Sequence, residues 1–254
     1  MAARPSYVTF SSFDFKMTGD TEYFGENPPK GAVITYYLKK RHIVGELKLE
    51  ILNSKGEVVK TLPTGKRRGI NRVYWNTSLR LPKLATTERL GGMVFSGPTV
   101  EPGMYSARLT RNKEILTSSL EIRPDKYTAH STEDRKTRHN AVMKTYYMME
   151  HLSYIADTVK GIKEDLEKIL KEKEKDIPRK TKTFIQQQVK ILTGIHEEII
   201  DPASDLYSSE KLQGKVITIY SSILGYAGRP TEAQLNYVKA LETELAGIEQ
   251  RFKD

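Results

Sequence analysis

Apolar and polar residues alternate along the first half of the chain, from Ala32 to Arg123. In the segment Leu47–Ile51 every second residue is apolar and the residues between are charged, which indicates a strand with one buried and one solvated face. The turn formers of Asn53–Gly56 follow this strand and predict a hairpin. Trp75 alternates with polar neighbours, so we expect it to anchor the core. Several short strands without a helix-period segment predict an antiparallel β-sandwich.

From Ser131 onward the spacing of apolar residues changes to alternating steps of four and three. The longest such series predicts a helix with a seam of seven residues: Met148, Leu152, Ile155, Val159, Ile162, Leu166 and Ile169. Shorter series predict three more helices. The second helix carries Ile185, Val189, Leu192 and Ile199, and the third carries Leu212, Val216, Ile219, Ile223 and Tyr226. The fourth carries Val238, Leu241, Leu245, Ile248 and Phe252. Ser131 with Asp134 and Thr231 with Gln234 resemble capping boxes. Four amphipathic helices with short loops predict an antiparallel helical bundle.

The change of period divides the chain into an α+β arrangement of two domains. We expect an N-terminal lead-in over residues 1–19, the β-sandwich over 20–124, a linker over 125–131 and the helical bundle over 132–254. Within the sandwich, residues 77–102 are rich in Pro, Gly and Thr and predict a long connection between strands.

Composition excludes some classes of protein, and charge distinguishes the two halves. With 38% hydrophobic and 29% charged residues, the chain is neither fibrous nor wholly disordered. Cysteine is absent, which excludes disulfides and thiolate chemistry, and no apolar run is long enough to span a membrane. The net charge of +9 resides in residues 1–129, which hold 21 basic and 12 acidic residues, whereas residues 130–254 hold 20 of each. This asymmetry suggests an anionic partner for the first half or a basic surface that maintains solubility.

No catalytic motif is found, and we predict no catalytic, cofactor-binding or metal-binding residue. The sequence lacks a P-loop, a dinucleotide fingerprint and a nucleophile elbow. His196-Glu197-Glu198 begins like a zinc motif, but Ile200 stands where the second histidine would be needed. Paired carboxylates such as Glu197 and Glu198 are better explained as solvated helix surface than as a glycosidase pair.

Two basic clusters are the candidate anion-binding residues: Lys39, Lys40 and Arg41, and Lys66, Arg67 and Arg68. Such clusters contact phosphates or anionic polysaccharide, and they also protect sheet edges from aggregation. No aromatic residue is interleaved with them, which disfavours a nucleic acid partner. Tyr36, Tyr37 and Tyr74 are candidate exposed aromatics of a carbohydrate-binding face, with ordinary strand packing as the alternative.

The stretch Tyr23–Leu38 contains Gly-Glu-Asn-Pro-Pro-Lys-Gly-Ala and resembles the start of a sandwich in a bacterial family. The family comprises large secreted proteins with sortilin-like, BNR-repeat β-propellers, often labelled glycosyl hydrolases. Gly69–Asn76, Val100–Tyr105 and Gly228–Gln234 also resemble its C-terminal region. The resemblance implies an Ig/fibronectin-like sandwich followed by a helical tail, with a periplasmic or extracellular location. The propeller, where an active site would lie, is missing here, and the chain has no apolar signal region.

These observations favour a non-catalytic accessory or structural module that mediates protein–protein or domain–domain contact, either as a piece of a secreted propeller protein or as a free-standing relative. Its partner would then be another protein or the missing propeller. The alternative is a carbohydrate- or polyanion-binding module that uses the basic face of the sandwich. An enzyme is disfavoured because no catalytic constellation is present. The identity of the partner and the oligomeric state are left open by the sequence.

Overall fold

The computed structural model describes residues 1–3, 5–7, 31–85, 97–124, 129–172, 177–200 and 210–253. These residues form two compact units. The β unit contains the described residues up to Leu81 and those from 97 to 129, and the helical unit contains residues 82–85 and those from His130 onward. No helix in the described ranges is long and apolar enough to cross a membrane.

Several sequence predictions fall outside the described residues. They concern Tyr23–Lys30, which carries the most specific part of the family resemblance, most of the predicted lead-in, and residues 125–128 of the predicted linker. The charged residues Lys173–Asp176 and the dipeptide Gly91-Gly92 also lie outside them.

The β unit contains two sheets. Its strands are β1 (Ala2–Ala3), β2 (Ser6–Tyr7), β3 (Ala32–Leu38), β4 (Leu47–Leu52), β5 (Val58–Leu62), β6 (Gly69–Trp75), β7 (Gly103–Arg111) and β8 (Glu114–Arg123). The small sheet has the order β1-β3-β6, and the large sheet has the order β2-β8-β7-β4-β5. All pairings are antiparallel except that of the two-residue strand β2, which runs parallel to β8.

The two sheets enclose one apolar core, so the β unit is sandwich-like. Ile34 and Trp75 of the small sheet and Leu49 and Leu120 of the large sheet belong to the same buried cluster. The prediction for Trp75 is confirmed, since its side chain is fully buried. Its indole Nε1 donates to the carbonyl oxygen of Ser78 at 2.8 Å, and its ring meets that of Tyr105 edge to face, with centroids 5.6 Å apart. Trp75 therefore joins the two sheets.

The hairpin prediction at Asn53–Gly56 is confirmed, because this turn connects β4 and β5. The Asn53 carboxamide oxygen accepts from the backbone N–H groups of Lys55 and Glu57 at 3.0 and 2.9 Å. Gly56 has a φ of 81°, a conformation that glycine adopts without steric cost. Local side-chain and backbone preferences thus suffice to form this turn.

The helical unit contains α1 (Thr132–Glu172), α2 (Arg179–Ile199), α3 (Leu212–Leu224) and α4 (Glu232–Lys253). The four helices share one apolar core, and α1 contacts each of the other three. Both capping boxes are confirmed. The hydroxyl of Ser131 accepts from the N–H of Asp134 at 3.0 Å, and the hydroxyl of Thr231 accepts from the N–H of Gln234 at 3.2 Å.

The predicted helical seams differ from the structure at two ends. In α1 the buried part of the seam ends at Val159, and both Ile162 and Ile169 are exposed. Tyr226, predicted as the last seam residue of the third helix, is exposed and lies beyond α3, which ends at Leu224 and is capped by Gly225. A seam pattern shows which face of a helix is apolar, but only neighbouring helices can bury that face.

One segment lies elsewhere than the sequence predicts. Residues 82–85 belong to the predicted connection within the sandwich, yet they pack with the helical unit. Ala85 is buried, and its N–H donates to the side-chain oxygen of Gln213 on α3 at 2.9 Å. The N–H of Lys83 donates to the Glu150 carboxylate on α1, and its ammonium group pairs with Asp157 at 2.7 Å. Two of these three contacts are made by backbone N–H groups of the segment, which any residue except proline can supply, so residue type did not reveal them.

Candidate functional site

The pairing of β3 with β6 brings the two basic clusters together. Lys39 directly follows the last residue of β3, Leu38, and Arg68 directly precedes the first residue of β6, Gly69. Leu38 and Gly69 are partners in the antiparallel register, so both clusters lie at the same end of the small sheet. We call Lys39, Lys40, Arg41, Lys66, Arg67 and Arg68 the cationic end.

Hydrogen bonds hold the two loops of the cationic end in place. The backbone N–H of His42 donates to the carbonyl oxygen of Lys66 at 3.0 Å and thereby joins one loop to the other. The buried carboxamide of Asn71 donates to the carbonyl oxygens of Arg67 and Gly69 at 2.9 and 3.1 Å. Gly69 has a φ of 97°, which a side chain would strain. The backbone beneath the six cations is therefore well connected.

The six side chains of the cationic end are all exposed. None of them makes an ion pair with another residue in the described part of the chain. The sequence supplies no acidic residue close by along the chain, because residues 31–45 and 58–87 contain none. Like charges held this close repel one another, and an anion would relieve the repulsion.

Three acidic residues of the β unit, Glu50, Glu114 and Glu121, pair with cations of the large sheet. Glu50 is almost fully buried and accepts from Lys48 at 2.5 Å and from Arg108 at 2.8 Å. These two hydrogen-bonding partners hold the pKa of the Glu50 carboxyl below its ordinary value, and the hydrogen bond of Lys48 has the larger effect. Glu121 pairs with Arg123 at 2.7 Å. Several cations of the large sheet thus have acidic partners, whereas the six cations of the cationic end have none in the described chain.

The solvent-facing side of the small sheet adjoins the cationic end. We call Tyr37 of β3 and Ile70, Arg72 and Tyr74 of β6 the outer face. All four side chains are exposed. Tyr37 lies opposite Ile70 in the register, and Arg72 occupies the position between Ile70 and Tyr74 on the same side of β6.

The three tyrosines that the sequence suggests as exposed aromatics do not share one environment. Tyr37 and Tyr74 are exposed, but Tyr36 is buried in the core, where its hydroxyl donates to the carbonyl oxygen of Gly65 at 2.7 Å. Burial raises the pKa of the Tyr36 hydroxyl. Tyr36 is therefore a core residue, and its proposed role on a carbohydrate-binding face is wrong.

Two residues of the outer face, Ile70 and Arg72, are absent from the sequence prediction. The signal for them is the alternation along β6, where Asn71, Val73 and Trp75 point inward and the residues between them point outward. That signal identifies a solvent-facing side. It does not identify β3 as the neighbouring strand, so the adjacency of the outer face to both basic clusters could not be predicted.

His196, the one histidine with a partial motif match, is half-buried on α2. Its pKa lies below the ordinary value, chiefly because burial disfavours the charged imidazole and further because Lys163 and Lys160 repel it. Among the described residues no group of three or more histidine and acidic side chains has a geometry suited to a metal ion. His151 pairs with Glu249, with 2.9 Å between imidazole Nδ1 and the carboxylate.

The small sheet therefore carries three exposed apolar side chains, those of Tyr37, Ile70 and Tyr74, next to six cations that have no acidic partner in the described residues. No protein-family model, curated protein or solved structure matches the chain.

Proposed function

We propose that this chain is a non-catalytic accessory module whose β unit contacts an anionic partner through the cationic end. The observation that carries this proposal is the register of β3 with β6, which places Leu38 opposite Gly69 and so joins the two basic clusters. Six exposed cations without an acidic partner in the described chain form an attractive surface for a negatively charged molecule.

Solubility alone explains the cationic end less well than binding does. Charges that serve only solubility can be dispersed, and dispersed charges avoid mutual repulsion. In the helical unit some cations pair with acidic residues on neighbouring helices, as in Lys144 with Glu242 and Lys215 with Glu244. Six unpaired cations held together at one end of a sheet are more typical of a contact site than dispersed cations are.

We further propose that the β unit is a sandwich of the Ig/fibronectin type and that the helical unit is an antiparallel bundle. The resemblance of Gly69–Asn76 and Val100–Tyr105 to the sandwich of BNR-repeat propeller proteins supports the first proposal. On this proposal the chain corresponds to the C-terminal region of such a secreted protein. Its activity would be to bind, and any catalytic activity of the family would belong to the propeller.

The test compares two variants of the full chain with equal net charge. In the first variant all six residues of the cationic end are changed to Gln. In the matched control, six exposed lysines of the helical unit are changed to Gln: Lys136, Lys160, Lys171, Lys180, Lys190 and Lys239. Both are applied to a heparin column and eluted with a salt gradient.

We expect the wild-type chain and the control to be retained above physiological salt and the cationic-end variant to elute well below them. Each contact between a protein cation and an anionic group of a polymer adds about −0.7 to −0.9 to the slope of log affinity against log salt concentration. Losing six such contacts should therefore reduce the magnitude of this slope by about 4 to 5. Equal loss of retention in both variants would show that only net charge matters and would contradict the proposal.

A further inference from the structure

Three of the four side chains of the outer face are large, apolar and exposed to solvent. Ile70 is 70% exposed, Tyr37 is 62% exposed and Tyr74 is 47% exposed. In the connection that starts at the cationic end, Ile43 and Val44 are 78% and 82% exposed. Scattered exposed apolar residues are ordinary in proteins, whereas a contiguous group beside a polar rim is typical of an interaction site.

The register shows that the strand residues of this group are contiguous. Tyr37 is directly opposite Ile70, and Tyr74 is directly opposite the half-buried Val33. Ile70 and Tyr74 are four residues apart on β6, which corresponds to about 13 Å along the strand. Arg72 lies between them, so the outer face forms one strip of alternating apolar and cationic character that ends at the cationic end.

We propose that the outer face binds an acidic protein segment that carries apolar side chains. This inference rests on the proposed function, because the cationic end would attract the acidic groups of the same segment. The apolar side chains of the segment would cover Ile70 and the two tyrosines, which removes apolar surface from water. Acidic side chains would pair with Arg72 and with the six cations of the cationic end.

The composition of the outer face favours a protein over a polysaccharide. Ile70 offers neither an aromatic plane nor a hydrogen bond, so a sugar ring gains little from it. Aliphatic side chains beside Tyr and Arg, with charged residues at the rim, are the composition of protein–protein interfaces. The partner is therefore recognised by negative charge and apolar surface together.

The experiment uses three probes of equal negative charge with the full-length chain. The first is a peptide of alternating Glu and Leu, the second is a peptide of alternating Glu and Ser of the same length, and the third is an oligogalacturonate. Dissociation constants are measured by fluorescence anisotropy of labelled probes at physiological salt.

Two variants accompany the wild type. The face variant carries Tyr37→Ser, Ile70→Ser and Tyr74→Ser. The matched control carries Ile115→Ser, Tyr147→Ser and Tyr154→Ser. These residues have comparable exposure, 62%, 62% and 61%, and belong to β8 and α1 rather than to β3 and β6. Fluorescence of Trp75 and circular dichroism verify that both variants are folded before binding is measured.

We expect the wild-type chain to bind the Glu–Leu peptide at least tenfold more tightly than the Glu–Ser peptide, because aromatic anchors contribute most of the energy of an interface. The face variant should lose this difference and keep its affinity for the Glu–Ser peptide. The control should retain the difference.

Other results overturn the inference in distinguishable ways. Equal affinity of the wild type for the two peptides would show binding by charge alone and would leave the proposed function standing. A face variant that loses only oligogalacturonate binding would indicate a polysaccharide site. If none of the three probes binds the wild type, the proposed function fails together with this inference.

Discussion

The buried carboxamide of Gln213 provides the sharpest test of the packing of residues 82–85 on the helices. Its side-chain oxygen accepts from the N–H of Ala85 at 2.9 Å, and its amide group faces the Ala85 carbonyl oxygen at 3.5 Å. Both residues are 2% exposed, so water cannot replace these bonds. The substitution Gln213→Met keeps the length of the side chain and removes both hydrogen bonds.

The expected cost follows from the groups left without a partner. A buried backbone N–H that loses its acceptor costs about 1–3 kcal/mol, and the longer contact to the carbonyl oxygen adds less. We therefore expect Gln213→Met to reduce the free energy of unfolding of the helical unit by about 2 kcal/mol. With a urea dependence of about 1–3 kcal/mol per molar, the midpoint should fall by about 1 M.

The assay follows urea unfolding with two signals. Far-UV circular dichroism reports chiefly on the helices, and fluorescence reports on the β unit because Trp75 is the only tryptophan. Gln187→Met, a substitution at an exposed position on α2, is the control and should change stability by less than about 0.5 kcal/mol. A similarly small change for Gln213→Met would refute the buried hydrogen bond and with it the packing of residues 82–85 on α3.

Three further outcomes are expected. Trp75→Ala should destabilise the β unit by about 3–5 kcal/mol in urea unfolding followed by circular dichroism. Trp75→Phe should cost about 1–3 kcal/mol, chiefly because the Ser78 carbonyl oxygen loses its donor, and an unchanged stability of Trp75→Phe would contradict the role of the indole N–H. Lys48 and Arg108 hold the pKa of the Glu50 carboxyl below its ordinary value, so the stability that they contribute is present above about pH 4.5 and is lost as the pH falls further. Glu50→Gln should therefore reduce the acid sensitivity of Trp75 fluorescence between about pH 5 and pH 3. Arg138 donates to two carbonyl oxygens at the end of α3, at 3.2 and 2.8 Å. Arg138→Met should therefore lower the free energy of unfolding of the helical unit by about 2 kcal/mol in the same urea titration. The control Lys136→Met, at an exposed position of α1, should not cause this loss.

The sequence by itself determined those features of the protein that depend on residues a few positions apart along the chain. The turn at Asn53–Gly56 forms because an asparagine side chain and a glycine satisfy a local backbone geometry. The capping boxes at Ser131 and Thr231 form because side chain and backbone lie three residues apart. The burial of Trp75 follows from the alternation of its strand together with the size of its apolar ring. The turn and the capping boxes are complete within a few residues, and the change in apolar spacing is visible along the chain, so the α+β division could be predicted.

Alternation along a single strand left open which side faces the core. In β3, Tyr36 and Tyr37 have the same residue type and opposite environments, and both faces of the strand carry apolar residues. Only packing against the second sheet decided that Tyr36 is buried and that Tyr37 remains on the outer face. The exposure of Ile162 has a similar reason, because the apolar seam of α1 is longer than the part its neighbours bury.

The candidate site belongs to what only the tertiary structure decided. Lys39 and Arg68 are far apart along the chain, and they share one end of the small sheet because β3 pairs with β6 rather than with the strand that follows it. The same pairing puts Tyr37 next to Ile70. The pairing of distant strands depends on the combined packing of both sheets, and no local pattern encodes it. The sequence therefore supplied the charges and the aromatic residues of the site, and the fold alone brought them to one surface.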